Sequence, residues 1–258
     1  MRIDSNIAPQ LLCGRLALVT GAGQGNGRAI ARGLAAAGAR VIVTDLNVES
    51  AATTAAEIRA DGGEAWHYEL DVTHLGHCVA LAARVGSEVG AVDLLVNNAG
   101  IVIRDGFDSP MAVENLERTL DVNVMGTFHP IYAWLSALRA TRGSIVNVAS
   151  IASSVGLAGT FGYSPSKAAV KLLTQSLAVE MAKDGVRVNA IAPGVIDTPM
   201  TATTRAAPAK LERFMMRTPM ARVGQPEELI GPVVFLASEM ASYVTGVTLP
   251  VDGGFLAA

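Results

Sequence analysis

The chain has 258 residues, of which half are apolar and 17% are charged, with a net charge of −3 and no basic cluster. This charge pattern argues against nucleic acid or an anionic membrane as a partner. No apolar run approaches the ~18 residues of a membrane span, and the first ten residues lack the pattern of an export signal or transit peptide. We therefore expect a cytoplasmic protein.

Two cysteines and a pair of histidines are the residues that raise the question of redox or metal chemistry. Cys13 and Cys78 are too few for a disulfide framework and form no CxxC pair, which indicates a reducing compartment and buried thiols. His74 and His77 would share a helix face, but no second group of ligands lies near them in sequence. We expect a solvated helix start there and no metal.

Short apolar runs alternate with longer Ala- and Leu-rich segments along the whole chain. Strands are predicted at 16–19, 41–44, 94–96, 145–148, 186–191 and 247–251, and helices at 28–37, 49–60, 75–89, 114–140, 165–183 and 226–238. Strands that are apolar on both faces are parallel and covered by helices on both sides. The pattern predicts one α/β domain over 1–258, a doubly wound parallel sheet of about seven strands.

Small or hydrogen-bonding residues follow the predicted strands. In doubly wound sheets, ligands bind outside the carboxyl ends of the strands, where the strand order reverses. Each such residue alone is also compatible with a helix cap or a turn, but their shared position predicts one ligand site. The residues are Thr20, Gly21, Asp45, Asp71, Asn97, Asn98, Ser150, Pro193 and Gly194.

A glycine-rich stretch, TGAGQGNG at 20–27, leads from the first strand into the first helix. Glycines let the backbone approach a pyrophosphate closely, and the helix start offers free N–H groups. The stretch fits TGxxxGxG through Gly21, Gly25 and Gly27, whereas GxGxxG fails because Asn26 stands at its third glycine. With Gln24, these residues predict a dinucleotide-binding loop.

Asp45 indicates which dinucleotide this is. It lies 24 residues after Gly21, close to the ~20-residue offset at which a carboxylate receives the adenosine ribose hydroxyls. A carboxylate there repels a 2′-phosphate, and neither Gln24 nor Leu46 supplies a positive charge, so we expect NAD rather than NADP. The alternative for Asp45 is a helix cap, which Asn47 could serve instead.

The stretch TFGYSPSKAAVK at 160–171 is typical of a helix start, because Pro165 is tolerated only in a first turn. Tyr163 and Lys167 are four residues apart and would share a helix face. By itself this spacing is more typical of a packed tyrosine and a solvated lysine than of an acid–base pair. Ser150, 13 residues before Tyr163, ends a predicted strand at the ligand edge and favours an acid–base pair.

Together these stretches resemble the short-chain dehydrogenase/reductase family over essentially the whole chain. The resemblance implies a Rossmann fold and a homo-oligomer, with a tetramer favoured. Two positions depart from it: Asn26 stands where members usually carry an aliphatic residue, and Ala149 where many have serine. The matching pieces are TGAGQGNG at 20–27, Asp45, LDVT at 70–73, NNAG at 97–100, DVNVMGTF at 121–128, IVNVAS at 145–150, YSPSK at 163–167, PGVIDTPM at 193–200 and TGVTLPVDGGF at 245–255.

The resemblance also implies roles for individual residues. Tyr163 is expected as general acid or base, Ser150 as the holder of the substrate oxygen, and Lys167 as the ligand of the nicotinamide ribose. Asn123 is expected to support a proton-relay water, with helix packing as the alternative. For the cofactor, it implies Asp71 at the adenine, Asn98 near the adenosine ribose, and Ile196 and Thr198 at the carboxamide; Val72, Pro193 and Gly194 complete the predicted cofactor-binding set.

Elementary electrostatics predicts how Lys167 changes the pKa of Tyr163. A phenol of pKa ~10 needs about 4 kcal/mol to reach a pKa near 7. An ammonium about 4 to 5 Å away at an effective dielectric near 20 supplies about 3 to 4 kcal/mol. We therefore expect Lys167 to lower the pKa of Tyr163.

The segment 197–220 is rich in Thr, Ala and Met and is predicted to be a lid over the substrate. An apolar pocket favours a medium-sized secondary alcohol or ketone, while sugars, polyols and acyl thioesters stay open. The sequence thus predicts an NAD-dependent alcohol dehydrogenase or carbonyl reductase. The alternatives are an NADPH-dependent 3-oxoacyl-thioester reductase and a non-catalytic dinucleotide-binding regulator.

Overall fold

The computed structural model describes residues 11–258, so the expectation about the first ten residues lies outside the described part. Seven strands form one parallel sheet in the order β3-β2-β1-β4-β5-β6-β7. The order reverses between β1 and β4, which confirms the doubly wound fold. The strands are β1 Leu16–Thr20, β2 Arg40–Asp45, β3 Ala65–Glu69, β4 Leu94–Asn97, β5 Ser144–Val148, β6 Arg187–Pro193 and β7 Thr248–Val251.

Nine α-helices, joined in places by short 3₁₀ turns, connect the strands within the described residues. They are α1 Gly25–Ala36, α2 Val48–Ala60, α3 Leu75–Glu88, α4 Ala112–Leu120, α5 Gly126–Thr141, α6 Tyr163–Met181, α7 Ala202–Arg205, α8 Pro208–Met216 and α9 Ile230–Ala237.

Helices cover both faces of the sheet, because neighbouring residues of one strand point to opposite sides. Val19 of β1 packs with α1, α2 and α9, through residues such as Leu34 and Ile230. Leu18 packs on the other face with α3, α5 and α6, through residues such as Trp134. Helices on both faces are thus confirmed.

The third strand was absent from the predicted runs. In β3 only Ala65 and Tyr68 are buried, because this strand lies at the edge of the sheet. Its polar residues His67 and Glu69 interrupt the apolar run that marks the central strands.

The predicted helix 114–140 is not continuous. A π-helical segment, Asp121–Met125, separates α4 from α5. Such segments occur frequently at functional sites, where they redirect a side chain without ending the helix. The predicted boundary near Pro165 was more accurate, since α6 begins at Tyr163 with this proline in its first turn.

The two cysteines have different surroundings. Cys78 is buried and burial raises the pKa of its thiol to about 11, but Cys13 is exposed, so the expectation of two buried thiols was wrong for Cys13. Cys13 lies just before β1, in a turn that the sheet does not cover. None of the helices within residues 11–258 combines the length and apolar character needed to span a membrane.

Candidate active site

A cleft of about 600 Å³ runs along the carboxyl ends of the central strands. Most of the predicted site residues meet there, although they come from separate parts of the chain. Gly27 and Asn123 do not border the cleft and lie behind its wall. The predicted residues that line it are Gly21, Gln24, Gly25, Asn26, Asp45, Asp71, Val72, Asn98, Ser150, Tyr163, Lys167, Pro193, Gly194, Ile196 and Thr198.

The glycine loop has the close contacts that exclude side chains. Gly21 has a φ of 61°, and a Cβ there would lie 2.8 Å from the Ala99 Cα. A Cβ on Gly27 would collide with the Gly21 carbonyl oxygen and the Asn98 amide nitrogen. No side chain caps the first turn of α1, which begins at Gly25 on the cleft. Free N–H groups at an uncapped helix start fit a pyrophosphate.

Asn98, the residue that follows β4, holds this loop in place. Its Nδ2 donates to the carbonyl oxygens of Thr20 at 3.0 Å and Gly21 at 2.8 Å. The Thr20 hydroxyl oxygen in turn accepts from the backbone N–H groups of Asn98 and Ala99, both at 3.1 Å. The Asn98 amide nitrogen therefore holds the loop, although the residue borders the cleft.

Two aspartates lie at the end of the cleft near β2 and β3, and each is fixed by backbone donors. Asp45 accepts from the N–H of Gly23 at 2.9 Å and of Asn47 at 3.0 Å. The Asn47 side chain accepts from Ser50 N and caps α2, so Asp45 is not the cap.

Asp71 accepts from the N–H and the hydroxyl of Thr73 at 2.9 and 2.7 Å. Burial opposes its ionisation, but these hydrogen bonds outweigh it and lower the pKa of Asp71. His74 Nδ1 lies 3.1 Å from the second carboxylate oxygen of Asp71, and the His74 ring stacks on His77.

Ser150, Tyr163 and Lys167 border the cleft beyond β5. Ser150 follows β5 and starts a 3₁₀ turn, where its Oγ accepts from Ala152 N at 3.1 Å. Tyr163 and Lys167 occupy one face of the first turns of α6. Lys167 is 4% exposed, and its Nζ donates to the Val148 carbonyl oxygen at 2.8 Å.

Burial dominates the acid–base properties of this pair. It raises the pKa of Tyr163, while a hydrogen bond with Ser150 and the charge of Arg104 act in the opposite direction. Burial also lowers the pKa of Lys167 to about 8. We expected Lys167 to lower the pKa of Tyr163. In the protein alone the surroundings of Tyr163 raise this pKa instead, so the expectation was wrong. The Lys167 amine is held by Val148, 5.9 Å from the centre of the Tyr163 ring.

Asn123 is fully buried in the π-helical segment, and both the oxygen and the nitrogen of its side-chain amide form hydrogen bonds. Its Oδ1 accepts from Ile101 N at 2.8 Å, and its Nδ2 donates to Ile101 O at 3.0 Å and to Ser166 Oγ at 2.9 Å. A Cβ on Gly100 would lie 3.0 Å from this Oδ1 and 3.4 Å from Lys167 Nζ. Asn123 thus fixes the loop after β4 beside the Lys167 amine, and its relay role stays a prediction.

Arg104, which does not line the cleft itself, was missed by the sequence reasoning, although its charge acts on Tyr163. Arg104 donates to the Met200 carbonyl oxygen at 2.7 Å and so joins the loop after β4 to the segment after β6. No carboxylate within residues 11–258 pairs with it, whereas Arg205 nearby pairs with Asp197 at 2.6 Å. Arg104 belongs to an irregular loop, and its position just after the NNAG stretch was the one available hint.

The strand order, the glycine loop and the Ser150, Tyr163 and Lys167 group define a dinucleotide-dependent oxidoreductase. A family model described as Enoyl-(Acyl carrier protein) reductase matches residues 21–256. The chain is 38% identical over 245 residues to a 2,5-dichloro-2,5-cyclohexadiene-1,4-diol dehydrogenase from Sphingobium indicum, covering 95% of this chain and 97% of that protein. It is 40% identical over 248 residues to a 3-oxoacyl-[acyl-carrier-protein] reductase from Synechocystis, covering 95% and 98%.

Solved structures agree with these relatives. A gluconate 5-dehydrogenase from Burkholderia cenocepacia, in complex with NADP and tartrate, superposes with a TM-score of 0.92 at 37% identity, covering 97% of this chain and 98% of that chain. The protein belongs to the short-chain dehydrogenase/reductase family.

Proposed function

We propose that the protein transfers a hydride between NAD(H) and a secondary alcohol or ketone, with Tyr163 as general acid and base. The observation that carries this proposal is one cleft with Asp45 at the end of β2 and Ser150, Tyr163 and Lys167 beyond β5. Three strand spacings separate β2 from β5, roughly 14 Å along the sheet edge. This span leaves room for a dinucleotide laid across the strands.

Three side chains of the protein supply the proton transfer and the binding of the substrate oxygen. When bound, the nicotinamide supplies the hydride donor or acceptor. Ser150 Oγ donates a hydrogen bond to the substrate oxygen. The raised pKa of Tyr163 keeps its hydroxyl protonated at neutral pH, so that it can donate a proton to a ketone oxygen. In the oxidation direction Tyr163 takes the alcohol proton, and the charge of Lys167 stabilises the phenolate.

Asp45 supports NAD over NADP. Two backbone N–H groups fix its carboxylate at the cleft, beside the side chain of Leu46, which is 65% exposed. A 2′-phosphate would meet a negative charge at this place. The gluconate 5-dehydrogenase structure contains NADP, so the preference of this chain must be measured directly. Dissociation constants for NADH and NADPH test it, and tighter binding of NADPH would contradict the proposal.

An NADPH-dependent 3-oxoacyl-thioester reductase is the second candidate. The identity with the Synechocystis reductase favours it. A panel of secondary alcohols, ketones, polyols and acetoacetyl thioesters, followed by nicotinamide absorbance, separates the two activities. Cofactor binding without turnover of any compound would favour a non-catalytic regulator.

The surroundings of the site carry three further proposals. Within 197–220, Met200 and Thr201 border the cleft, which supports a lid in one catalytic domain over 1–258.

Apolar side chains on α5 and α6, with Leu172 60% and Val179 79% exposed, support a homotetramer, which light scattering tests. A cytoplasmic location is proposed as well, and cell fractionation tests it.

A further inference from the structure

Arg104 joins two chain segments at the end of the cleft where Lys167 lies. The loop that carries Arg104 begins beside this lysine, since a Cβ on Gly100 would lie 3.4 Å from Lys167 Nζ. Arg104 Nη2 donates at 2.7 Å to the carbonyl oxygen of Met200, which borders the cleft together with Thr198. The guanidinium therefore lies next to the cleft lining at this end, without belonging to the lining itself.

The positive charge of Arg104 has no counter-ion in the described part of the chain. Both carboxylate oxygens of its neighbour Asp105 accept hydrogen bonds from other groups, one of them from Asn115 Nδ2 at 2.8 Å. In the segment after β6, Asp197 pairs with Arg205 at 2.6 Å. The acids on both segments that Arg104 joins are thus already occupied.

This charge also acts on the reacting group. It lowers the pKa of Tyr163, although burial has the larger and opposite effect. Arg104 therefore lies near enough to Tyr163 for one small substrate to meet both. Of the five N–H donors of its guanidinium, one is used by Met200. A guanidinium binds a carboxylate through two parallel hydrogen bonds, which fix its orientation as well as its position.

We propose that the substrate is a hydroxy acid, or the corresponding oxo acid, and that Arg104 determines this specificity by binding the carboxylate. The carbinol or carbonyl group of the substrate then lies at Ser150 and Tyr163, and its carboxylate reaches the guanidinium beside Met200. The inference rests on the proposed function. It narrows the secondary alcohols and ketones named there to those that carry a negative charge.

Matched pairs of substrates test this role, because an acid and its primary amide have nearly the same shape and differ in charge. The acids are lactate, its homologues with the hydroxyl one and two carbons further from the carboxylate, and aldonic acids. Oxidation of each acid and of its amide is followed by nicotinamide absorbance. We expect the wild type to prefer the acid in kcat/KM by about 10- to 100-fold, the gain from hydrogen bonds to a charged group. The preference should appear mainly in KM, because the carboxylate is bound alike before and during the reaction.

Variants of Arg104 assign this preference to one side chain. Arg104→Met should remove it, whereas Arg104→Lys, which keeps the charge but loses the planar fork, should retain part of it. A change in the pKa of Tyr163 affects acid and amide alike, so the ratio of their kcat/KM values reports the carboxylate alone. Lys183→Met is the control, because it removes a positive charge before β6, at the opposite edge of the sheet, and should leave the ratio unchanged.

Three outcomes would overturn the inference and leave the proposed function in place. They are amides oxidised as well as their acids by the wild type, turnover of neutral alcohols without turnover of any acid, and an acid preference that survives in Arg104→Met. Wild-type protein that oxidises neither the acids nor the neutral alcohols would instead contradict the proposed function itself.

Discussion

Lys167 Nζ lies 5.9 Å from the centre of the Tyr163 ring while it donates a 2.8 Å hydrogen bond to the Val148 carbonyl oxygen. The amine is therefore held near the phenol without being bonded to it. Burial favours the neutral form of each group, raising one pKa and lowering the other. A charge on either group is therefore costly in the protein alone.

Lys167→Met should change how stability depends on pH. Burial lowers the pKa of Lys167 from 10.5 to about 8 in the folded chain. Between these values the unfolded chain binds a proton that the folded chain does not. The free energy of unfolding of the wild type should therefore rise relative to that of the variant between about pH 8 and pH 10. Urea denaturation measures this difference, and a constant difference would show that the amine is not destabilised by burial.

Arg104→Met should raise the pKa of Tyr163, because the charge of Arg104 lowers it. Alcohol oxidation needs the phenolate, so its rate should rise with pH only at more alkaline values than in the wild type. The matched control is Arg205→Met, since that guanidinium is already neutralised by Asp197. Profiles of kcat against pH for the three proteins check this. Equal shifts in both variants would show that the effect is not specific to the charge of Arg104.

Asp45→Asn should move the preference from NADH towards NADPH. The variant keeps an acceptor for the Gly23 N–H but loses the charge that repels a 2′-phosphate. We expect the ratio of the two dissociation constants to change by about tenfold or more. Fluorescence titration with both cofactors measures it. Asp61→Asn, at the far end of α2, should leave the ratio unchanged.

Gly27→Ala should distort the glycine loop on the side that faces away from the cleft. The added methyl group meets the Gly21 carbonyl oxygen and the Asn98 amide, which belong to the loop and to the residue that holds it. A loss of about 1–3 kcal/mol in the free energy of unfolding is expected, with weaker NADH binding. In Gly86→Ala, a Cβ within α3 meets nothing within 4 Å, and that variant should gain about 0.5–1 kcal/mol. Denaturation and NADH titration of both variants test the contrast.

The sequence was informative wherever burial or a motif left a local trace. Strands such as β1 and β5 are buried along their whole length and appear as apolar runs, whereas the edge strand β3 does not. The cleft residues follow strand ends, so the strand order alone predicts that they lie together, even where the positions of their side chains are not known. The π-helical segment around Asn123 and the reach of Arg104 to Met200 depend on contacts between distant segments, and neither leaves a periodic pattern.

The wrong expectation for the pKa of Tyr163 had a similar origin. A Coulomb estimate from spacing alone placed the cation next to the phenol. The structure adds the burial of both groups and the Val148 carbonyl that takes the amine, and these contributions depend on tertiary packing.

Tyr163→Phe tests the central claim most directly, because it removes one hydroxyl and leaves the ring in place. Its turnover should be compared with that of the wild type on whichever alcohol or ketone the substrate panel identifies, and NADH binding should be titrated in parallel. We predict a fall in kcat of roughly 100- to 10,000-fold, with NADH affinity changed less than about threefold. A phenylalanine variant that turns the substrate over at the wild-type rate would contradict the assignment of Tyr163 as the acid and base.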